Sequence, residues 1–179
     1  MKRLIACLIL LFLWVGCSDS VDSPSYLIGL NKWGVSGAEG YLQLLHRNYP
    51  NSVITSGYYD WRDVSVYRKK AGLHYGYDFA LEKGSIVPAG WEGKVTNIIP
   101  WPCGEYAVEV SKEVQVTQYG HILPLVKVGD YVKVGEPVGK IVKDHLDLKI
   151  KISGKYFDFG IWDKEQNSFN KALPVDISR

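Results

Sequence analysis

The sequence predicts an all-β fold, a mainly antiparallel sheet accompanied by one short helix on its N-terminal side. Three observations carry this reading. Apolar and polar residues alternate with a period of two in several short runs after Pro50. Glycine and proline punctuate those runs at turn spacing. Ahead of them, Ala38 to Arg47 has apolar side chains at positions 38, 41, 42, 44 and 45, the spacing of a short amphipathic helix, and Asn48-Tyr49-Pro50 ends it.

Taken in chain order, the first segment is a targeting signal. Lys2-Arg3 precede an apolar run from Leu4 to Val15, after which Gly16-Cys17-Ser18-Asp19-Ser20 turns abruptly polar. About a dozen apolar residues fall short of the ~20 that span a bilayer. Residues 1–16 therefore read as a cleaved signal peptide. Gly16 directly before Cys17 resembles a bacterial lipobox, with Trp14 where leucine is usual, and this resemblance implies lipidation of Cys17 and anchorage in a membrane. Residues 17–30, rich in Ser, Asp and Pro, read as the lipidated tether. Residues 31–53 form an N-terminal extension with the short helix, and residues 54–179 the β domain.

Composition suits one such domain. The 179 residues are 46% hydrophobic with 12 Tyr and 6 Trp, enough for one core. A net charge of +2 with scattered Lys and Arg leaves no nucleic-acid footprint. Of three cysteines, Cys7 lies in the signal and Cys17 at its end, so Cys103 would stand alone in the mature chain and no internal disulfide is expected. Cys103 sits in the turn Pro100-Trp101-Pro102-Cys103-Gly104 and reads as structural; His46, at the helix end, reads as a surface residue.

Strand alternation is visible in Lys94–Ile98, Tyr106–Val110, Glu113–Val116 and Leu146–Ile152. Between the last two, the valine-glycine repeat of residues 128–139, with Val128-Gly129, Val134-Gly135 and Val138-Gly139, sets glycines at tight turns. Lipoyl, biotinyl and glucose-type phosphotransferase domains share that glycine-valine hairpin. No modified-lysine tip is present for the carriers, and the signal sequence argues against a cytoplasmic phosphotransferase.

The chemistry concentrates in Gly72-Leu73-His74-Tyr75-Gly76-Tyr77-Asp78-Phe79-Ala80. Tyr75, Tyr77 and Phe79 alternate with a polar face that holds His74 and Asp78, one nitrogen and one oxygen donor of the kind that binds Zn²⁺. In a straight strand two residues four apart lie roughly 13 Å from each other at ~3.3 Å per residue. Sharing an ion thus requires a bend, which Gly76 permits. On this motif alone, a core histidine with an exposed aspartate reads as well.

Further segments follow in order: Gly84-Ser85-Ile86-Val87-Pro88-Ala89 running to Gly93-Lys94-Val95, then Tyr119-Gly120-His121, then the 128–139 repeat extended to Ile141, then His145-Leu146-Asp147. Together with His74-x-Gly76-x-Asp78 they resemble the lysostaphin-type metallopeptidases, also called LytM-like or M23 peptidases, over about residues 54–160. Three of the four histidines fall on family positions. The resemblance implies a twisted sheet with a groove on one face, one Zn²⁺, with Mn²⁺ admissible, held by His74, Asp78 and Asp147, and His121 and His145 as the catalytic proton-transferring pair.

Asp147 departs from the family's second histidine in H-x-H. A carboxylate ligates zinc at ~2.0–2.2 Å but leaves it a weaker Lewis acid than an imidazole does. A second alignment stays open, in which Tyr156 and Asp158 of Ser153-Gly154-Lys155-Tyr156-Phe157-Asp158-Phe159 replace both histidines. The strand alternation of Leu146–Ile152 favours His145 and Asp147. The expected function is a zinc metallo-endopeptidase of peptidoglycan cross-links, lipid-anchored at the cell envelope, which in a Gram-negative host means the outer membrane and periplasm. The alternative is a degenerate M23-like module that binds peptidoglycan or activates another cell-wall hydrolase.

Overall fold

A computed structural model describes residues 35, 37–163 and 168–170. The signal segment, Cys17 and the tether lie outside the described residues. Among the described residues one α-helix, α1 (Gly37–His46), precedes strands β1 (Ile54–Ser56), β2 (Trp61–Arg62), β3 (Gly72–Leu73), β4 (Tyr77–Ala80) and β5 (Ile86–Pro88). There follow β6 (Gly93–Trp101), β7 (Glu105–Lys112), β8 (Gln115–Pro124), β9 (Tyr131–Val132) and β10 (Pro137–Ile141). The last are β11 (His145–Ile152), β12 (Lys155–Tyr156), β13 (Ile161–Asp163) and β14 (Ser168–Asn170).

Ten of these strands form one sheet, ordered β1-β4-β11-β8-β7-β6-β9, with β10 bridging β5 and β8 and β12 pairing with β11. Every pairing is antiparallel, as short strands joined by tight turns require. Two small hairpins, β2–β3 and β13–β14, stand apart.

The run Glu113–Val116 is shorter as a strand than its alternation suggests. Glu113 adopts φ 52° in the β7–β8 turn and β8 starts at Gln115, because the chain must reverse there. Gly129 and Gly135 do adopt the left-handed φ that the 128–139 repeat calls for, at 100° and 86°.

The helix is part of the core. Tyr41, Leu44 and Leu45 are buried against the sheet, and Tyr41 stacks on Trp91 at 6.0 Å and meets Phe79 edge-on at 5.2 Å. Its hydroxyl donates to the Pro88 carbonyl at 2.8 Å. A Cβ on Gly90 would come within 2.6 Å of the Tyr41 ring, so that glycine is what lets the helix approach. At the helix start the Ala38 N–H donates to the Phe159 carbonyl, which ties α1 to the segment after β12.

This core fixes the central strands β4, β11 and β8. Their register places Asp147 opposite Asp78 on one side and opposite Gly120 on the other. Residues far apart in sequence thus come together at one level of the sheet.

Candidate metal centre

The His74 to Asp78 segment bends as its spacing requires. Between β3 and β4 the chain leaves the strand at His74–Gly76 and re-enters at Tyr77. Gly76 serves by close approach: a Cβ there would lie 2.7 Å from the Leu148 carbonyl oxygen and 3.0 Å from Asp147 Oδ1. Any side chain would push β11 off β4 and drive Asp147 from the cluster.

With that approach allowed, His74, Asp78 and Asp147 each offer a donor atom within 4.8 Å of the others, all three residues buried. His74 Nε2 lies 3.2 Å from Asp147 Oδ1 and 3.6 Å from Asp78 Oδ1. Its Nδ1 is 3.4 Å from Ser56 Oγ, which itself donates to Asp60 Oδ2 at 2.8 Å. The ring is therefore held from behind while Nε2 meets both carboxylates. One imidazole and two carboxylates form a donor set that fits Zn²⁺ or Mn²⁺ and leaves coordination positions open.

Each carboxylate also touches a cation of the protein. Arg62, from β2, donates to Asp78 Oδ2, and Lys149, two residues along β11, donates to Asp147 Oδ2. Burial penalises the Asp147 carboxylate, but the Lys149 ammonium and the His74 ring outweigh it and hold its pKa well below the usual range. For Asp78, burial and the neighbouring Asp147 charge prevail over His74 and Arg62, and its pKa is raised.

The two remaining histidines stand beside this cluster. His121 and His145 rings are 4.4 Å apart. A bulge aims His121. On β7 one residue separates Tyr106 from Val108, whereas on β8 both Gly120 and His121 lie between their partners Tyr119 and Ile122. The extra residue takes φ 62° at His121, where β8 exchanges β11 for β10 as its neighbour. The ring then packs edge-on between Trp101 and Tyr67, each at 4.9 Å. Gly120 makes room for Trp101, whose ring would lie 2.5 Å from a Cβ there.

Each of these histidines has its Nδ1 on a carboxylate, both at 2.6 Å: His121 on Glu105 Oε2 and His145 on Asp144 Oδ1. Glu105 is wholly buried; Asp144 is exposed. Burial depresses the His121 pKa further than Glu105 raises it, so the neutral ring is favoured.

All five residues singled out in the sequence line one groove of about 450 Å³, together with Trp101, Lys149 and the 62–68 segment. A profile of peptidase family M23 matches residues 72–170, more than half of the chain, and contains all five. The chain belongs to peptidase family M23. A zinc-containing peptidase from Vibrio cholerae is 27% identical with a TM-score of 0.52, over 60% of this chain and 35% of that one. This chain thus spans about a third of that protein's length. LytU is 26% identical, with a TM-score of 0.51, over 68% of this chain and 94% of its own. The catalytic domain of lysostaphin from Staphylococcus simulans, at 24% identity and a TM-score of 0.50, covers 66% and 92% and shares the fold.

Asp158, on which the second alignment turns, lies elsewhere: it accepts from the Tyr77 hydroxyl at 2.7 Å and from the Gly160 N–H at 3.1 Å. Arg62, Lys149 and Trp101, which line the groove, and Glu105, buried behind His121, are residues that the motifs do not reveal. Of these only Lys149 had a local signal, its i+2 spacing from Asp147 on one strand face.

Proposed function

We propose that this M23 protein is a zinc metallo-endopeptidase that cleaves peptide cross-links of peptidoglycan at the cell envelope. The observation that carries the reading is the convergence of His74, Asp78 and Asp147 within 4.8 Å beside a pair of histidines whose rings lie 4.4 Å apart in an open groove. His74, Asp78 and Asp147 would hold the ion. Zinc bound by such ligands polarises a carbonyl and lowers the pKa of water.

The protein's own groups do the rest. An ionised Glu105 accepts a hydrogen bond from the Nδ1–H of His121, which leaves the lone pair on Nε2, across the ring from the carboxylate. Asp144 does the same for His145. Two imidazoles with free Nε2 atoms side by side can take a proton from an attacking water and pass one to a leaving amine. The half-exposed walls around Trp101, Tyr67 and Arg62 suit an extended peptide lying along the groove.

Location belongs to the proposal as well: acylation at Cys17 would tether the domain to a membrane facing the wall. Cys17→Ala then moves the protein from the membrane fraction to the soluble one, and unchanged fractionation with no lipid mass on the N-terminal peptide rejects the anchor. For the activity, purified peptidoglycan incubated with the protein and Zn²⁺ gains free amino groups, and a chelator stops the gain. No gain at neutral pH with zinc present rejects the enzyme.

One observation favours the second reading, a non-hydrolytic module that binds peptidoglycan or activates another hydrolase. Arg62 and Lys149 already pair with both carboxylates, so the cluster is charge-balanced by protein cations. That reading predicts co-sedimentation with peptidoglycan and no release of amino groups.

A further inference from the structure

Glu105 is the one acidic residue among those described whose side chain is entirely shielded from solvent, and every partner it has belongs to the histidine end of the groove. Its Oε2 meets His121 Nδ1 at 2.6 Å, and its Oε1 lies 3.1 Å from Lys143 Nζ. Lys143 also donates to the Tyr67 hydroxyl and stands 5.1 Å from the centre of the Tyr67 ring, the ring that packs edge-on against His121. Burial opposes the charge of such a carboxyl, but the hydrogen bond to His121 and the neighbouring Lys143 ammonium and Tyr67 hydroxyl prevail and lower its pKa.

A buried carboxylate costs several kcal/mol unless charge and hydrogen bonds compensate it. Here the compensation comes from a lysine two residues before His145 and from the imidazole itself. Glu105 opens β7 directly after the Pro102–Gly104 turn, opposite Trp101, so the same hairpin supplies the carboxylate and the indole on either side of His121.

We propose that Glu105 is a positioning residue that fixes the tautomer of His121, keeping the proton on Nδ1 and the lone pair on Nε2, with Lys143 holding the carboxylate ionised. The proposal rests on the reading of His121 as a proton-transferring group. A neutral imidazole can place its proton on either nitrogen, and the bond at one nitrogen decides what the other does. An ionised Glu105 can only accept, so it forces the choice. Asp144, exposed beside His145, exerts the same pull in water, where it is weaker.

Two-bond ¹H–¹⁵N correlation spectra of the full chain, labelled in histidine and recorded above the imidazole titration range, read the tautomer directly. The His121 resonances are assigned by their loss in His121→Gln. The wild type is expected to show His121 only as the Nδ1–H form. Glu105→Gln, isosteric but able to donate as well as accept, is expected to give both tautomers, with the signals of His46, His74 and His145 unmoved.

A wild-type His121 protonated on Nε2 overturns the proposal without any variant. So does a pure Nδ1–H form in both Glu105→Gln and Glu105→Ala. The hydrolysis assay separates this from the functional reading. A fixed tautomer without release of amino groups leaves Glu105 in its role and rejects the enzyme; release with an Nε2–H tautomer does the reverse.

Discussion

The two ends of the groove both set carboxylates against imidazoles, but they arrange them in opposite senses. At the ligand end, Asp78 and Asp147 meet His74 on its Nε2 side, and the cations Arg62 and Lys149 stand on the outer oxygens. At the histidine end, Glu105 and Asp144 sit on Nδ1 of His121 and His145, away from the lone pairs. The first arrangement concentrates negative charge where donor atoms converge, which suits a cation. The second keeps charge behind the rings and turns the Nε2 side of each away from its carboxylate, which suits the transfer of a proton. Adjacent sites assembled from the same residue types thus acquire different chemistry from which atom faces which.

The largest effect that tests this division is at His74. His74→Ala removes the only nitrogen of the donor set, and the two carboxylates it leaves are already paired with Lys149 and Arg62. Metal analysis of the wild type after exchange into Zn²⁺ is expected to find close to one equivalent, and of the variant none, with unchanged circular dichroism. Equal metal content in both would dissolve the ligand end as a site.

His145→Ala should act at the other end alone. It keeps the metal and lowers hydrolysis of peptidoglycan by on the order of 10²–10⁴-fold, the usual cost of losing a proton-transferring group. A parallel loss of metal would merge the two ends into one. Asp147→His probes the border between them: it replaces a carboxylate with the imidazole of the family pattern and should retain metal while raising turnover several-fold, because a less neutralised ion is the stronger Lewis acid. Lower turnover with full metal would mean that Asp147 has a task beyond ligation.

Legibility in the sequence follows range. The bent motif around His74 and Asp78 was readable because both residues and the bend lie within five positions, and the alternation of Leu146–Ile152 was enough to put His145 and Asp147 on one strand. Gly76 was readable as necessary, but its physical reason was not. Conformational freedom was the sequence argument, and the structure supplies a contact with the Leu148 carbonyl across the sheet.

Glu105 gives no local sign at all, since it meets His121 only through the β7–β8 hairpin and its bulge. Arg62 lies in a two-residue strand with no usable period, and its partner Asp78 is sixteen residues on. The helix reads as part of an extension because amphipathic spacing reveals an apolar face and says nothing of what covers it; Tyr41 meeting Trp91 and Phe79 is long-range information.

The smallest expected effect concerns the two cations and decides how available the ligand end is. Arg62 is about one-third exposed and Lys149 about one-seventh, so each ion pair is partly solvated and its loss frees a carboxylate at modest cost to the fold. An incoming Zn²⁺ would have to displace or share these partners. Arg62→Ala and Lys149→Met should therefore each tighten zinc binding by about fivefold in titration calorimetry, the equivalent of ~1 kcal/mol for a partly exposed pair. Lys149 has a second anchor, standing 5.6 Å from the centre of the Trp101 ring, so its removal should also loosen the indole beside His121 and lower turnover even as affinity rises. Unchanged affinity in both variants would mean that the side chains swing aside without cost and that the wild-type cluster is an open cation site. Weaker binding would mean the opposite of competition: the cations hold Asp78 and Asp147 in the geometry that the metal needs, and the charge balance at this end is preorganisation for the ion.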